Sequence, residues 1–271
     1  MKTININRLK CALSTIHKEN KKIFLSGKFF ELLRKVHVKA VTNHKFRELL
    51  NILIFIWEYF ENIEDNILKL YQHKKQYNQK KLDKDSWINF ASKHIKDFYV
   101  DYRSLFDFLA KAIRLASDPP KQSSTSFNKL LKWIKNPNNV MKLGEDLSNV
   151  VRSCDWFKDL REVRDSILHE DARILIFLDK DKILFQIYDK NWERKMILKP
   201  EIIMNNENVA DFELYAGLYI GYLIAYLEEV SEVIISRLNL SIKKLTSKSC
   251  HGGLHIIYKW IEKVLHKLDK S

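Results

Sequence analysis

The sequence predicts a mostly α-helical protein, a helical bundle with a small inserted β-meander and an additional helical region at the N-terminus. Glycine and proline are scarce, at 6 and 4 of 271 residues, whereas 46% of the residues are hydrophobic. This combination favours long helices over architectures built from short strands and turns. Apolar residues recur at the helical period through most of the chain, and the period changes to two in one stretch that begins near residue 173.

The N-terminal part of the chain is predicted to be helical and basic. Residues 74–84 are rich in Lys and Gln and poor in apolar side chains. We therefore expect a boundary there, between an N-terminal helical region, 1–84, and a helical domain, 85–271. The N-terminal region carries 18 Lys and Arg against 8 Asp and Glu. Its predicted helices span residues 4–20, 27–42 and 46–73.

The domain that follows is predicted to have helices on both sides of the β-meander. Alternating apolar and polar residues place the meander at about 173–199, with strands at 173–178, 183–188 and 195–198. The Pro- and Ser-rich residues 118–126 are typical of a loop. Helices are predicted at 85–117, at 127–135 with its end at Asn136-Pro137, in a short segment before Cys154, at 155–170, at 209–245 as the longest, and at 254–268.

Small residues within the predicted helix at 209–245 indicate a close helix contact. Gly217, Gly221 and Ala225 are four residues apart, so they share one face and let a neighbouring helix backbone approach. We expect a buried contact inside the scaffold, and a dimer seam is the alternative. The uncharged stretch 214–227 is too short to cross a bilayer, so it is predicted to be a core helix.

The net charge of +13 is unevenly distributed. Residues 241–271 carry 7 Lys and Arg against 2 Asp and Glu, so both ends of the chain are basic and the middle is close to neutral. Basic ends suit a polyanion such as RNA, and a Lys-rich solvated surface is the alternative. The cysteines, Cys11, Cys154 and Cys250, are odd in number and far apart, which indicates a reducing, cytoplasmic location.

The helix at 155–170 carries the strongest candidates for catalytic or ligand-binding residues. Its apolar residues form one stripe, and Arg164 interrupts that stripe on the same i, i+4 row as Leu160 and Leu168. An unpaired guanidinium among apolar side chains is unfavourable, so we expect an anion, a partner subunit or a wet cleft beside it. Five residues later, His169 carries an imidazole, the group most often used for acid–base catalysis.

Arg164, Asp165 and His169, near the end of a late helix, resemble the Arg-x4-6-His motif of the HEPN superfamily, over about residues 85–245. Many members of that superfamily are metal-independent RNases, and such members commonly act as toxins or in antiphage defence, often with a neutralising antitoxin. The resemblance implies cleavage of RNA by the strand's own 2′-hydroxyl, with no metal and no cofactor. It implies that His169 is the general acid/base, that Arg164 binds the phosphate and that Asp165 orients the imidazole.

The resemblance also implies a homodimer. On an ideal helix, residues five apart point about 140° away from each other, so Arg164 and His169 of one chain are expected to diverge. Two motif helices meeting in a dimer would bring both pairs into one cleft. The alternative function is a non-catalytic RNA-binding or protein-interaction module, in which Arg164 pairs with a buried carboxylate and His169 lies at the helix C-terminus. Asp101, Arg103 and Asp107 could face this helix, but we assign them no chemistry.

Other sites receive little support from the sequence. His251 and His255, beside Cys250, have a metal-like spacing, but Gly252-Gly253 separates them and a third ligand of usual spacing is missing, so no metal is expected. Glycine-rich phosphate loops, dinucleotide turns and the common hydrolase motifs are absent from the sequence. Their absence weighs against nucleotide hydrolysis and redox cofactors.

Overall fold

A computed structural model describes residues 4–19, 22–117, 126–169, 172–188, 203–206, 209–240, 249–250 and 253–270. These residues are mostly helical with a small antiparallel sheet, which confirms the predicted fold class. The helices are α1 Ile6–Thr15, α2 Lys28–Ala40, α3 His44–Asn78, α4 Lys84–Ser117, α5 Phe127–Trp133, α6 Pro137–Leu143, α7 Glu145–Ser153, α8 Phe157–His169, α9 Phe212–Arg237 and α10 Leu254–Leu268. The strands are β1 Ile16–Glu19, β2 Lys22–Leu25, β3 Arg173–Phe177, β4 Leu184–Tyr188, β5 Met204–Asn206, β6 Val209–Asp211 and β7 Ser249–Cys250.

Helix α9 forms the centre of the bundle. Every residue from Phe212 to Leu227 is buried, because α1, α2, α4, α7 and α10 all pack against this helix. A helix that is apolar on all sides requires such an environment. A Cβ added to Gly217 would lie 2.7 Å from the carbonyl carbon of Trp260 in α10. The predicted close helix contact at Gly217 is therefore a contact within the scaffold.

The extent of this helix differs from the prediction of a longest helix at 209–245. It begins at Phe212, because residues 209–211 form β6 and the Asp211 side chain accepts a hydrogen bond from the Glu213 backbone N–H as an N-cap. Helices α3 and α4, with 35 and 34 residues, are longer than the 26 residues of α9. Residues 241–248 lie outside the described part of the chain.

Helices α3 and α4 form a long antiparallel hairpin whose turn coincides with the predicted boundary. Helix α3 continues through the Lys- and Gln-rich stretch to Asn78, because Lys and Gln are good helix formers. Ring pairs connect the two helices at two levels of the hairpin: Phe55 and Phe108 stack at 4.9 Å between centroids, and Tyr77 and Trp87, beside the turn, at 5.8 Å. Residues on both sides of residue 84 belong to one hydrophobic core.

A second small sheet replaces the end of the first predicted helix. Helix α1 ends at Thr15, and the prediction of a helix up to residue 20 is wrong from Ile16 onward. Strand β1 pairs antiparallel with β2, with Ile16 opposite Leu25, and β2 pairs with β7 near the C-terminus. A partner more than 200 residues away in the chain stabilises these strands, and local helical periodicity does not report such a partner.

The sheet that follows α8 has the strand order β3-β4-β6-β5. The strands predicted at 173–178 and 183–188 are confirmed as β3 and β4, which pair antiparallel from Arg173 opposite Tyr188 to Phe177 opposite Leu184. The third predicted strand, 195–198, lies outside the described residues. Strand β3 also packs against α4. The Ala172 backbone N–H, just before β3, donates to the Ser166 carbonyl of the motif helix α8, so the sheet begins next to the C-terminal turn of that helix.

Asn136-Pro137 follows the end of one helix, as the sequence predicts, and it also forms the start of the next helix. Helix α5 ends at Trp133, and α6 starts at Pro137. The Asn136 side chain accepts a hydrogen bond from the Asn138 backbone N–H, and proline at the first helical position has no N–H that would need a partner. The dipeptide is therefore a helix N-terminus.

Glu64 of α3 is a buried carboxyl at the N-terminus of α10. The residue is 2% exposed, and its side chain lies against Gly253, where an added Cβ would be 2.6 Å from the Glu64 Cγ. Burial raises the pKa of Glu64 to about 7, and the backbone N–H groups of Leu254 and Gly253 offset part of that rise. The folded protein therefore favours the protonated carboxyl.

We expect Glu64 to make stability depend on pH. The folded pKa of about 7 lies above the ordinary value of 4.5, so the contribution of Glu64 to the free energy of unfolding is fully present below pH 4.5 and falls as the pH rises through 7. Glu64→Gln should remove this loss, on the order of 3 kcal/mol at pH 8 relative to pH 4. Denaturant titrations of both proteins across this range measure the difference. The exposed Glu58→Gln in the same helix is the control, and parallel curves for wild type and Glu64→Gln would contradict the expectation.

Candidate functional site

The predicted site residues Arg164, Asp165 and His169 lie together in the C-terminal half of α8. Arg164 and Asp165 are half-buried, and His169, the last residue of the helix, is exposed. The apolar stripe of the helix is anchored on α4, where the rings of Phe106 and Phe157 are 4.6 Å apart. The buried anchors of α8 are Phe157, Leu160, Val163 and Ile167.

Arg164 and His169 of one chain are in direct contact. Arg164 Nη1 lies 3.0 Å from His169 Nε2. The prediction that the two side chains diverge is therefore wrong, because it compared only the directions in which they leave the helix. The three methylene groups of the arginine carry its guanidinium along the surface of α8 to the imidazole. A second copy of the chain is not needed to bring these two groups together.

The contact assigns a hydrogen-bonding role to the imidazole. A guanidinium has donors and no acceptor, so a hydrogen bond between the two groups requires His169 Nε2 to accept through its lone pair. Such a bond forms with the imidazole tautomer that carries its hydrogen on Nδ1. Arg164 Nη1 has two hydrogens, and it donates the other to Asp165 Oδ1 at 3.0 Å. The site thus places a group that can accept a proton beside a cation.

Asp165 is bound to arginines. Its Oδ1 accepts from Arg164, and its Oδ2 lies 3.2 Å from Arg161 Nε. The sequence predicted that Asp165 orients the imidazole of His169, but its contacts reach the imidazole through Arg164. Arg161 was missed. The spacing contained the signal, because Arg161 is at i−3 from Arg164 and at i−4 from Asp165, which places all three on one face.

The carboxylate partner of Arg164 lies at the surface. The Asp165 side chain is 37% exposed, so it is not the buried carboxylate that the structural alternative required. An ion pair of this exposure stabilises a fold by about 0–1 kcal/mol. Arg164 Nε is buried and has no hydrogen-bond partner within the described residues. The guanidinium therefore keeps donor capacity that its present partners do not use.

Of the three charged residues that could face α8 according to the sequence, two lie near its start. Arg103 Cζ is 5.9 Å from the centre of the Phe157 ring, and Arg103 forms an ion pair with Asp107. Asp107 Oδ1 accepts a hydrogen bond from the Phe127 backbone N–H at 2.9 Å and so caps α5. Asp101 instead contacts α3, where Asn66 Nδ2 donates to its Oδ2 at 3.0 Å. Burial raises the pKa of Asp101 to about 6, and the nearby Asp97 adds to the rise.

The described residues were also compared with the requirements of metal sites, disulfides and membrane spans. Within the described ranges, no group of three or more His, Cys, Asp and Glu side chains is placed to hold a metal ion, and His251 falls outside those ranges. Cys11 and Cys154 are free thiols. Among the described helices, none combines the length and the apolar character that crossing a membrane requires.

Comparison with protein families, curated proteins and solved structures finds no match for this chain. The similarity to the HEPN superfamily therefore remains a hypothesis that depends on Arg164, Asp165 and His169. The geometry of these residues carries the functional argument.

Proposed function

We propose that the chain is a metal-independent endoribonuclease of the HEPN type, with Arg164 and His169 as its catalytic residues. The observation that carries this proposal is the 3.0 Å contact between Arg164 Nη1 and His169 Nε2 at an exposed helix end. Cleavage by a 2′-hydroxyl needs a base for the hydroxyl proton and a cation for the charge that develops on the phosphate. The contact brings these two groups together in one chain.

In the proposed reaction, the scissile phosphodiester binds to Arg164, and the shift of the guanidinium toward the phosphate releases His169 Nε2. The lone pair of Nε2 accepts the proton of the 2′-hydroxyl, and the 2′-oxygen attacks phosphorus. The bond from phosphorus to the 5′-oxygen breaks, and this oxygen takes a proton from the imidazolium or from water. The products are a 2′,3′-cyclic phosphate and a free 5′-hydroxyl. Arg164 offsets the negative charge of the phosphorane-like transition state.

The charge distribution supports an RNA substrate. The net charge is +13, and the first 84 residues contain 18 Lys and Arg against 8 Asp and Glu. Binding of a polyanion by such a surface is governed by charge and weakens with salt. A homodimer through α8, a neutralising antitoxin, a toxin or antiphage role and a cytoplasmic location are further expectations that follow from the family resemblance and the composition.

Cleavage in the absence of free metal ions tests the proposal. The protein should cut single-stranded RNA in excess chelator and leave 2′,3′-cyclic phosphate ends, because the reaction uses no metal ion. The readout is end-group analysis of the fragments on a gel. Salt-dependent RNA binding without cutting would instead support a non-catalytic RNA-binding module. Absence of both binding and cutting would favour a protein-interaction module.

A further inference from the structure

Arg161, Asp165 and Arg164 form a chain of charges along one face of α8. Asp165 Oδ2 lies 3.2 Å from Arg161 Nε, and Asp165 Oδ1 accepts from Arg164 Nη1 at 3.0 Å. The side chains of Arg161 and Arg164 are 25% and 24% exposed, so solvent reaches both. One carboxylate therefore lies between two guanidinium groups, and the group of three keeps one excess positive charge.

Asp165 binds its two arginines weakly compared with another pair in this protein. Asp146 is held by two nitrogens on one edge of the Arg237 guanidinium, with Nε at 3.0 and 2.8 Å from its two oxygens and Nη2 at 2.6 Å from Oδ1. Asp165 makes one contact with each arginine, and the contact with Arg161 lacks the alignment of a hydrogen bond. The Nε groups of Arg161 and Arg164 are buried without a hydrogen-bond partner among the described residues. Unused buried donors are unfavourable, and a ligand that also offers acceptors to these Nε groups would satisfy them.

We propose that Arg161 and Arg164 form a two-arginine phosphate site, which Asp165 occupies until the phosphodiester of an RNA strand displaces it. This inference rests on the proposed function and adds Arg161 to its site. A phosphodiester matches the occupant, because it is also a monoanion with two terminal oxygens, and guanidinium forks bind such groups well. Arg164 Nη1 donates to both Asp165 and His169, so the incoming phosphate would release the carboxylate and the imidazole lone pair together.

The test measures binding of a short single-stranded DNA, which carries the phosphodiester but lacks the 2′-hydroxyl needed for cleavage. Asp165→Asn in the full chain should bind this DNA about fivefold more tightly than wild type, because the substitution removes a competing anion from the phosphate site. The matched control is Glu162→Gln, which changes the charge of the same helix equally at a side chain that is 53% exposed and 3.6 Å from Lys158. The control should change the affinity by less than about twofold.

Two further variants complete the test. Arg161→Ala should weaken DNA binding and reduce the slope of log affinity against log salt by about 0.7, the value for one lost phosphate contact on a single strand. In Arg161→Ala/Asp165→Asn, the gain from Asp165→Asn should be lost. The inference is overturned if Asp165→Asn binds no more tightly than Glu162→Gln, or if Arg161→Ala leaves the salt slope unchanged. The DNA cannot be cut by this route, so its binding is measured independently of RNA cleavage. If the expected changes in DNA binding appear but RNA is not cut, only the proposed nuclease function is contradicted. If RNA is cut but the DNA-binding changes do not appear, only the two-arginine phosphate site is contradicted.

Discussion

His169→Ala is expected to reduce RNA cleavage by about 10²- to 10⁴-fold, the usual contribution of a general acid or base. The imidazole is the only group in the Arg161–Asp165–Arg164–His169 chain that can take a proton from a hydroxyl and return it near neutral pH. The side chain is exposed at the end of α8, so its removal should leave the fold and the unfolding temperature unchanged. Rates of cleavage of a labelled single-stranded RNA measure the effect.

The matched control for this variant is His37→Ala, which removes an exposed imidazole from α2. It should cleave RNA at the wild-type rate. DNA binding by His169→Ala should remain close to that of wild type, because Arg164 still carries the phosphate-binding charge. Retention of cleavage by a folded His169→Ala, within about threefold of wild type, would show that the imidazole is not the acid or base.

Glu213→Gln is expected to have the largest effect on stability, a loss of about 3–5 kcal/mol. Glu213, in the first turn of α9, is 3% exposed and binds Lys74 of α3, which is 7% exposed, at 3.1 Å. Lys74 Nζ also donates to the Asp181 backbone carbonyl at 2.6 Å. Without the carboxylate charge, the buried ammonium of Lys74 keeps only neutral acceptors, the Asp181 carbonyl and the new amide oxygen. Denaturant unfolding at neutral pH measures the loss.

Two controls separate the buried charge from simple loss of packing. Lys263 also pairs with Glu213, but its side chain is 54% exposed, so Lys263→Ala should cost less than about 1 kcal/mol. Lys74→Met/Glu213→Leu removes both buried charges and should recover most of the stability that Glu213→Gln loses. A double variant as unstable as Glu213→Gln would contradict this explanation.

Local periodicity was sufficient to predict most of the helices, and it was insufficient where distant segments decide the structure. The apolar repeats that predict α2, α4 and α10 correspond to faces buried in the core. Strands β1 and β2 depend on a partner at residues 249–250, which no local pattern reveals. The start of α9 depends on Asp211, where the chain leaves strand β6 and its side chain caps the helix.

At the candidate site, the sequence was sufficient to predict the residues but not the contacts between their side chains. Arg164, Asp165 and His169 were found from spacing and from the interrupted apolar stripe of the helix. Their contacts depend on side-chain conformations, which helical angles alone do not give. For that reason Arg164 and His169 were expected to need a dimer to meet, and Asp165 was assigned to the imidazole rather than to Arg161. The geometric reason for the homodimer has disappeared, whereas the family resemblance still predicts one.

The most direct test of the central claim uses a DNA strand that contains a single ribonucleotide, incubated with the protein in excess chelator. If Arg164 and His169 promote attack by the neighbouring 2′-hydroxyl, the strand should be cut only on the 3′ side of that ribose, leaving a 2′,3′-cyclic phosphate and a 5′-hydroxyl. Cleavage at deoxyribonucleotides would contradict this claim. The claim would also be contradicted if folded wild-type protein bound the strand and left it intact.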